Sequence, residues 1–152
     1  MLKILYGPNY FTKRVELHKL RTEFVEKNGD LSVRDLSAQD ISLSDFKQDL
    51  SANNLFSGSE MIIINRAEEN IDLIGAALSA AESESKIVIL LIDVLDKRTI
   101  QFKDASKHSG FTEFPAILEA KLKGWISSTS KQLGFALNPA LVQDLINRSG
   151  AD

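Results

Sequence analysis

The residues best placed to bind a phosphate lie in a segment that begins at Gly7, directly after a strand-like run. A phosphate loop reads Gly-x-x-x-x-Gly-Lys-Ser/Thr, so that successive backbone N–H groups and a lysine converge on phosphate oxygens. Here the second glycine is missing, and Thr12 precedes Lys13 where a hydroxyl residue should follow the lysine. We expect the bulky Tyr10 and Phe11 to fill the space that a phosphate needs. The segment therefore predicts a nucleotide-binding scaffold without its nucleotide site.

Acidic and metal-ligating residues form no recognisable site. Asp93 ends the longest apolar run and could act as a metal-binding acid, but such a residue more often only marks the end of a strand. A signalling-receiver domain needs clustered acids at its strand ends, and Asp35, Asp93 and Asp96 do not form such a set. The chain has no cysteine, and His18 and His108 lie far apart in the sequence. We therefore expect no catalytic residue, no metal and no cofactor.

Two adjacent apolar residues, Leu55 and Phe56, lie in a segment whose Asn, Ser and Gly neighbours are typical of a turn. Turns are normally at the surface, so the pair either folds back onto the core, which is the commoner case, or is presented to a partner. Burying both side chains would contribute about 3–6 kcal/mol. A micromolar complex needs about 8 kcal/mol. The pair could therefore anchor a contact but could not supply it alone.

The composition is that of an ordinary globular domain. The 152 residues are 43% hydrophobic and 26% charged, and this length suits one domain or one domain with part of a second. A net charge of −3 and a pI near 5.4 argue against a dedicated nucleic-acid-binding surface. No run reaches the roughly 20 apolar residues that span a bilayer, and no signal peptide precedes the first strand-like run. We expect a cytoplasmic protein without a membrane partner.

Strand-like and helix-like runs alternate as far as Pro115. The strand-like runs are residues 2–6, 30–36, 61–64, 86–92 and 110–114, and the helix-like runs are 11–28, 42–50, 71–81 and the stretch around Ile100 and Phe102. In the first helix Phe11, Val15, Leu20 and Phe24 recur at helical spacing, and in the second strand Leu31, Val33 and Leu36 are expected to face inward. The unbroken apolar runs indicate strands covered on both faces, with 86–92 at the centre. This pattern predicts a three-layer α/β domain with a parallel sheet.

Beyond Pro115 the pattern is helical only. One helix is predicted from the apolar stripe formed by Leu118, Leu122, Trp125, Ile126 and Leu133. A second helix is predicted to begin with Asn138 as its N-cap and Pro139 in its first position. Two helices bury little apolar surface alone, so we expect residues 116–152 to be the start of a second domain that has been cut short.

Several short motifs follow one another along the chain. In order they are Leu5-Tyr-Gly-Pro-Asn-Tyr-Phe11, Leu55-Phe-Ser-Gly-Ser-Glu-Met-Ile-Ile-Ile64, Asp96-Lys-Arg-Thr99 with Phe102-Lys103, Trp125-Ile126, and Gly150-Ala-Asp152. Together they resemble the delta subunit of the bacterial DNA polymerase III clamp loader, a family that has Gly-Asn-Asp at the last of these motifs. No single motif is specific, and Ala151 departs from the pattern. Their order and spacing carry the resemblance over essentially the whole chain.

The resemblance implies a degenerate AAA+ (P-loop-like) domain in residues 1–115, followed by the first helices of a lid domain in residues 116–152, without the family's collar domain. It implies a non-catalytic subunit of the polymerase III holoenzyme, a DNA-directed DNA polymerase and therefore a nucleotidyltransferase complex. Such a subunit binds and opens the sliding clamp, the beta subunit, in DNA replication. Other loader subunits would bind only the full-length protein, the fragment would be monomeric, and any DNA contact would be indirect or weak.

The family's hydrophobic wedge corresponds to Leu55 and Phe56, and Ala52 and Asn54 are the neighbours expected to complete the contact. Core packing is the expected use of Phe46 and Leu50. We expect four basic residues of the first helix, Lys13, Arg14, Lys19 and Arg21, to form a solvated face. The alternative reading is a small P-loop-like nucleotide-binding enzyme with an aberrant phosphate loop.

Overall fold

Five parallel strands form one sheet in the computed structural model, which describes residues 1–52, 59–80 and 86–149. The strands are β1 (Leu2–Tyr6), β2 (Val33–Ser37), β3 (Glu60–Asn65), β4 (Lys86–Ile92) and β5 (Phe111–Glu113). Their order across the sheet is β2-β3-β4-β1-β5, and every neighbouring pair is parallel. The apolar strand β4 is therefore central, as predicted.

Six α-helices occur in the described residues. They are α1 (Tyr10–Asn28), α2 (Leu43–Ser51), α3 (Ile71–Ser79), α4 (Ile100–Lys107), α5 (Glu119–Gln132) and α6 (Pro139–Ser149). Polar side chains fix where four of them begin. Asn9 accepts a hydrogen bond from the Thr12 N–H at the start of α1, and Ser42, Thr99 and Asn138 cap α2, α4 and α6 in the same way. None of the helices that the structure describes is long and apolar enough to cross a membrane.

The chain divides into two compact units, Met1–Phe114 and Pro115–Asp152. In the first unit the sheet is covered on both faces. Leu5 packs with Leu17 and Phe24 of α1 on one face. Ile4 packs on the other face, in a cluster that includes residues of α2, α3 and α4. Successive residues of a strand point to opposite faces, so a strand between two helical layers must be apolar throughout. The predicted three-layer α/β architecture is confirmed.

Three apolar residues of the first unit are not where the sequence pattern put them. Leu31 is fully exposed, because it lies in a short 3₁₀ turn (Asp30–Ser32) that precedes β2. Phe11 and Val15 are exposed on α1. The other two residues of the predicted spacing do pack on the sheet, because Phe24 is buried and Leu20 lies partly buried against the same cluster. Leu17, which was not in the predicted set, is also buried there.

In the second unit α5 and α6 contact each other. Leu122 and Val142 are buried, whereas Leu118 and Leu133, which belong to the predicted stripe, flank the ends of α5 and are exposed. Asn138 accepts a hydrogen bond from the Leu141 N–H at 2.8 Å, as expected of the predicted N-cap.

Candidate functional site

The turn between β1 and α1, where a phosphate loop would lie, directs its backbone donors to strand and loop carbonyls. The Gly7 N–H donates to the Ile92 oxygen at 2.9 Å, and the Asn9 N–H donates to the Phe114 oxygen at 3.2 Å. Pro8 has no N–H. A Cβ at Gly7 would lie 2.3 Å from the same Phe114 oxygen, so the residue after β5 packs directly against the turn. A phosphate would have to compete with these contacts.

Lys13 is buried, and the prediction that it lies on a solvated face is wrong. Its side chain is 3% exposed, donates to the Ile92 carbonyl at 3.1 Å and forms an ion pair with Asp93. Lys13, Leu17 and Phe24 are spaced at four and seven positions, which places them on one face of α1. That stripe was the available signal for burial. Asp93 does more than mark a strand end, because it neutralises this lysine.

The other three residues of the predicted basic face agree better with the prediction. Arg14 and Lys19 are exposed, and Arg14 lies over the Tyr10 ring at 5.7 Å from its centroid. Arg21 makes a 3.1 Å ion pair with Asp30 near the surface.

A cavity of about 260 Å³ lies beside the Lys13–Asp93 pair, at the carboxyl edge of the sheet. Its lining residues come from α1 and from the ends of β3 and β4: Tyr10, Lys13, Arg14, Asn65, Arg66, Leu91 and Asp93. Tyr10 is 64% exposed and Phe11 is 42% exposed. Tyr10 is one wall of the cavity, and the filling of a phosphate space by the two aromatic rings stays a prediction. The lysine that a phosphate loop would aim at its ligand is instead engaged by Asp93.

Glu68 is a half-buried carboxylate at the same edge. It accepts a hydrogen bond from the Asp93 N–H at 3.3 Å. Burial raises the pKa of Glu68 above its ordinary value, and hydrogen bonds from backbone N–H groups offset part of that effect. Across residues 1–52, 59–80 and 86–149, no group of three or more His, Asp or Glu side chains is arranged to hold a metal ion.

In the sequence, the predicted clamp-binding residues lie between the end of α2 and the start of β3. Asn54, Leu55 and Phe56 lie outside the described residues, so their placement stays a prediction. Ala52 caps the end of α2 and is exposed. Phe46 is fully buried and Leu50 packs half-buried against the same core, so core packing is confirmed for both.

Four charged residues form an ion network that the sequence pattern does not predict: two lie close to that segment in the sequence, and two lie on the strands that neighbour β3. The Lys86 ammonium donates to the carbonyls of Asp49 and of Ala52, the latter at 3.0 Å, and lies 3.7 Å from the Glu60 carboxylate. Arg34 pairs with Asp49 at 2.9 Å and with Glu60 at 3.4 Å. Its hydrogen bond to Asp49 is the main cause that raises the pKa of Arg34.

A sequence signal for this network existed but was ambiguous. Lys86 directly precedes the apolar run of β4, and Glu60 directly precedes that of β3. The parallel register places these two residues side by side. Charged residues at strand starts are usually solvated. Only the pairing of β3 with β4 shows that Glu60 and Lys86 are neighbours.

No family model and no curated protein matches the chain in sequence. Among solved structures it is similar to the Bacillus subtilis DNA clamp loader delta protein (YqeN), with a TM-score of 0.70 and 13% sequence identity. The match covers 95% of this chain and 47% of that protein, so the chain spans about half the length of its structural neighbour. The resemblance drawn from short motifs is thus confirmed at the level of the fold, and this chain has the fold of that part of a clamp loader delta protein.

Proposed function

We propose that this chain is the clamp-contacting part of a clamp-loader delta subunit, which binds the ring-shaped sliding clamp and opens it during DNA replication. The observation that carries the proposal is the fold, which matches the B. subtilis delta protein over 95% of the chain at a TM-score of 0.70. In this reading the chain belongs to the polymerase III holoenzyme, works in the cytoplasm and has no catalytic activity of its own.

Leu55 and Phe56 are the proposed hydrophobic wedge. They occur between Ala52, the exposed cap of α2, and the first residue of β3. With Phe46 fully buried and Leu50 held against the core, α2 offers few other large apolar side chains for a partner. The contact therefore depends on the pair, with Ala52 and Asn54 beside it.

Residues 1–115 would be the AAA+-like domain that contacts the clamp, and residues 116–152 the first part of the lid. Stable contacts with the other loader subunits are proposed for the full-length protein only, so the chain by itself should be monomeric. Any contact with DNA would be indirect or weak, in keeping with a net charge of −3.

The alternative, a nucleotide-binding enzyme with an aberrant phosphate loop, is less well supported. Its phosphate would have to displace strand carbonyls from the Gly7 and Asn9 N–H groups. It would also have to compete with Asp93 for the Lys13 ammonium. One observation favours this alternative: a cavity lies beside Lys13.

The direct test is binding of the chain to a purified bacterial sliding clamp, measured by pull-down and by surface plasmon resonance. We expect a stoichiometric complex with one copy of the chain on a clamp subunit. Absence of binding at chain concentrations well above micromolar would defeat the proposed function.

A further inference from the structure

Among the described residues, two charged side chains are buried, those of Lys13 and Lys86. Lys86 is the first residue of β4. Its side chain is 8% exposed, and a lysine ammonium is almost never buried without partners. It donates to two main-chain carbonyls, those of Asp49 and Ala52, and lies 3.7 Å from the Glu60 carboxylate.

The three partners of Lys86 share one property: they flank residues 53–58. Asp49 and Ala52 belong to the last turn and the cap of α2, before the segment, and Glu60 begins β3, after it. The last carbonyls of a helix have no partners within the helix, and a cation there is favourable. One buried ammonium therefore joins the end of a helix to the start of a strand.

Arg34 of β2 joins the same two ends a second time. It pairs with Asp49 at 2.9 Å and with Glu60 at 3.4 Å. Its side chain is 41% exposed, so solvent weakens this outer connection relative to the buried one. Lys86 is thus the link that is better shielded from solvent.

We propose that Lys86 is a positioning residue for the proposed clamp contact: it holds together the two ends that flank residues 53–58, the segment to which Leu55 and Phe56 belong in the sequence. The inference rests on the proposed function. Fixing the ends of a segment before binding reduces the conformational entropy that must be lost on binding, and affinity rises accordingly. Loss of the lysine should therefore weaken clamp binding without removing any side chain that touches the clamp.

The chain provides a matched control in Lys13. It is also a buried lysine that donates to a main-chain carbonyl and pairs with a carboxylate, but it lies at the opposite edge of the sheet. Lys86→Met and Lys13→Met therefore remove the same chemistry from two places. Only the first substitution affects the ends next to residues 53–58.

The experiment compares these two variants of the whole chain by amide hydrogen exchange and by clamp affinity per folded molecule. For Lys86→Met we expect faster exchange in residues 49–52 and 60–62 and a clamp affinity about tenfold weaker than wild type. For Lys13→Met we expect wild-type exchange in both ranges and wild-type affinity. The loss caused by Lys86→Met should vanish when Leu55 and Phe56 are already replaced by Ala, because nothing is then left to position.

Equal exchange in the two lysine variants, or faster exchange with wild-type clamp affinity, would overturn the positioning role. If Lys86→Met does not fold, Glu60→Gln tests the positioning role with a smaller change, and Asp93→Asn is its control. Equal exchange in these two variants, or faster exchange in Glu60→Gln with wild-type clamp affinity, would again overturn the role. If the wild-type chain does not bind a clamp, the proposed function fails and the positioning role fails with it. The exchange measurement then still shows whether Lys86 holds the two ends together.

Discussion

At the scale of single residues, Phe46 and Phe56 are expected to have different roles. Phe46 lies in the core and has no exposed surface, whereas Phe56 belongs to the proposed wedge. A large buried side chain stabilises the fold through the cavity it fills, and an exposed anchor acts only when a partner covers it.

Replacing Leu55 and Phe56 by Ala should therefore weaken clamp binding by at least about 2 kcal/mol. The free energy of unfolding should change by less than about 1 kcal/mol, since truncating exposed side chains leaves no cavity. Phe46→Ala is the control, and it should cost about 3–5 kcal/mol of stability. Surface plasmon resonance and urea unfolding measure the two quantities. If the double variant loses stability while its affinity per folded molecule is unchanged, the pair belongs to the core.

Glu68 should make stability depend on pH in a specific direction. Burial raises its pKa in the folded chain, so the folded state holds this proton more tightly than the unfolded state. As the pH rises above the ordinary pKa of 4.5, the ionised carboxylate therefore costs folding free energy. Gln cannot ionise but still offers an oxygen to the Asp93 N–H.

We expect Glu68→Gln to be more stable than wild type at about pH 8, with the difference shrinking towards about pH 4. Urea unfolding at several pH values measures it. Glu26→Gln, at an exposed position of α1, is the control and should show no comparable trend. A Glu68→Gln advantage that grows as the pH falls would contradict the assignment.

At the scale of elements, the conformation of the β1–α1 turn depends on its contact with the residue that follows β5. Gly7 has φ +124°, a conformation that side chains rarely adopt, and a Cβ there would lie 2.3 Å from the Phe114 oxygen. The turn is therefore formed by contact with the chain that leaves β5, and a glycine is required for both its backbone angle and its space.

Gly7→Ala should destabilise the chain by about 3 kcal/mol or more, through backbone strain together with the overlap at Phe114. Gly75→Ala is the matched control: Gly75 lies within α3, and a Cβ there would meet nothing within 4 Å. Because Ala favours helix over Gly by about 1 kcal/mol, this variant should be as stable as wild type or more so. Thermal unfolding of both would settle the comparison, and similar melting temperatures for the two variants would show that the turn can relax.

At the scale of the whole molecule, the carboxyl and amino edges of the sheet differ in how their polar and charged groups are bonded. At the carboxyl edge the N–H groups of the β1–α1 turn and the Lys13 ammonium already bond to the protein. At the amino edge an ion network joins the elements on either side of the proposed wedge. The usual ligand-binding edge of a parallel α/β sheet is the carboxyl one, so a partner contact next to the amino-edge network would be a departure from the common pattern.

We accordingly expect no binding of Mg²⁺-ATP and no ATP turnover. Titration calorimetry should give no heat beyond dilution, while a phosphate-loop protein under the same conditions should give a normal isotherm. The cavity beside Lys13 makes this a demanding test, because it contains cationic groups. Nucleotide phosphate found at the Gly7 turn, or saturable heat with a one-to-one stoichiometry, would favour the enzymatic alternative.

Much of the fold follows from the sequence alone. The order of strands and helices along the chain, the central place of β4, the cap at Asn138 and the buried role of Phe46 all agree with the sequence-based predictions. These features depend on local chemistry: the spacing of apolar residues, the residue types that cap helices, and apolar runs too long for a solvated strand. The missing phosphate-loop pattern is equally a property of the sequence.

The burial of charged residues was decided only by the tertiary structure. Lys13 and Lys86 each look solvated in the sequence, and each is buried because a carbonyl or carboxylate from a distant part of the chain meets its ammonium. Leu31 is the reverse case, an apolar residue left exposed by a 3₁₀ turn. Periodicity describes one element at a time, whereas desolvating a charge depends on partners that only the pairing and packing of several elements bring within reach.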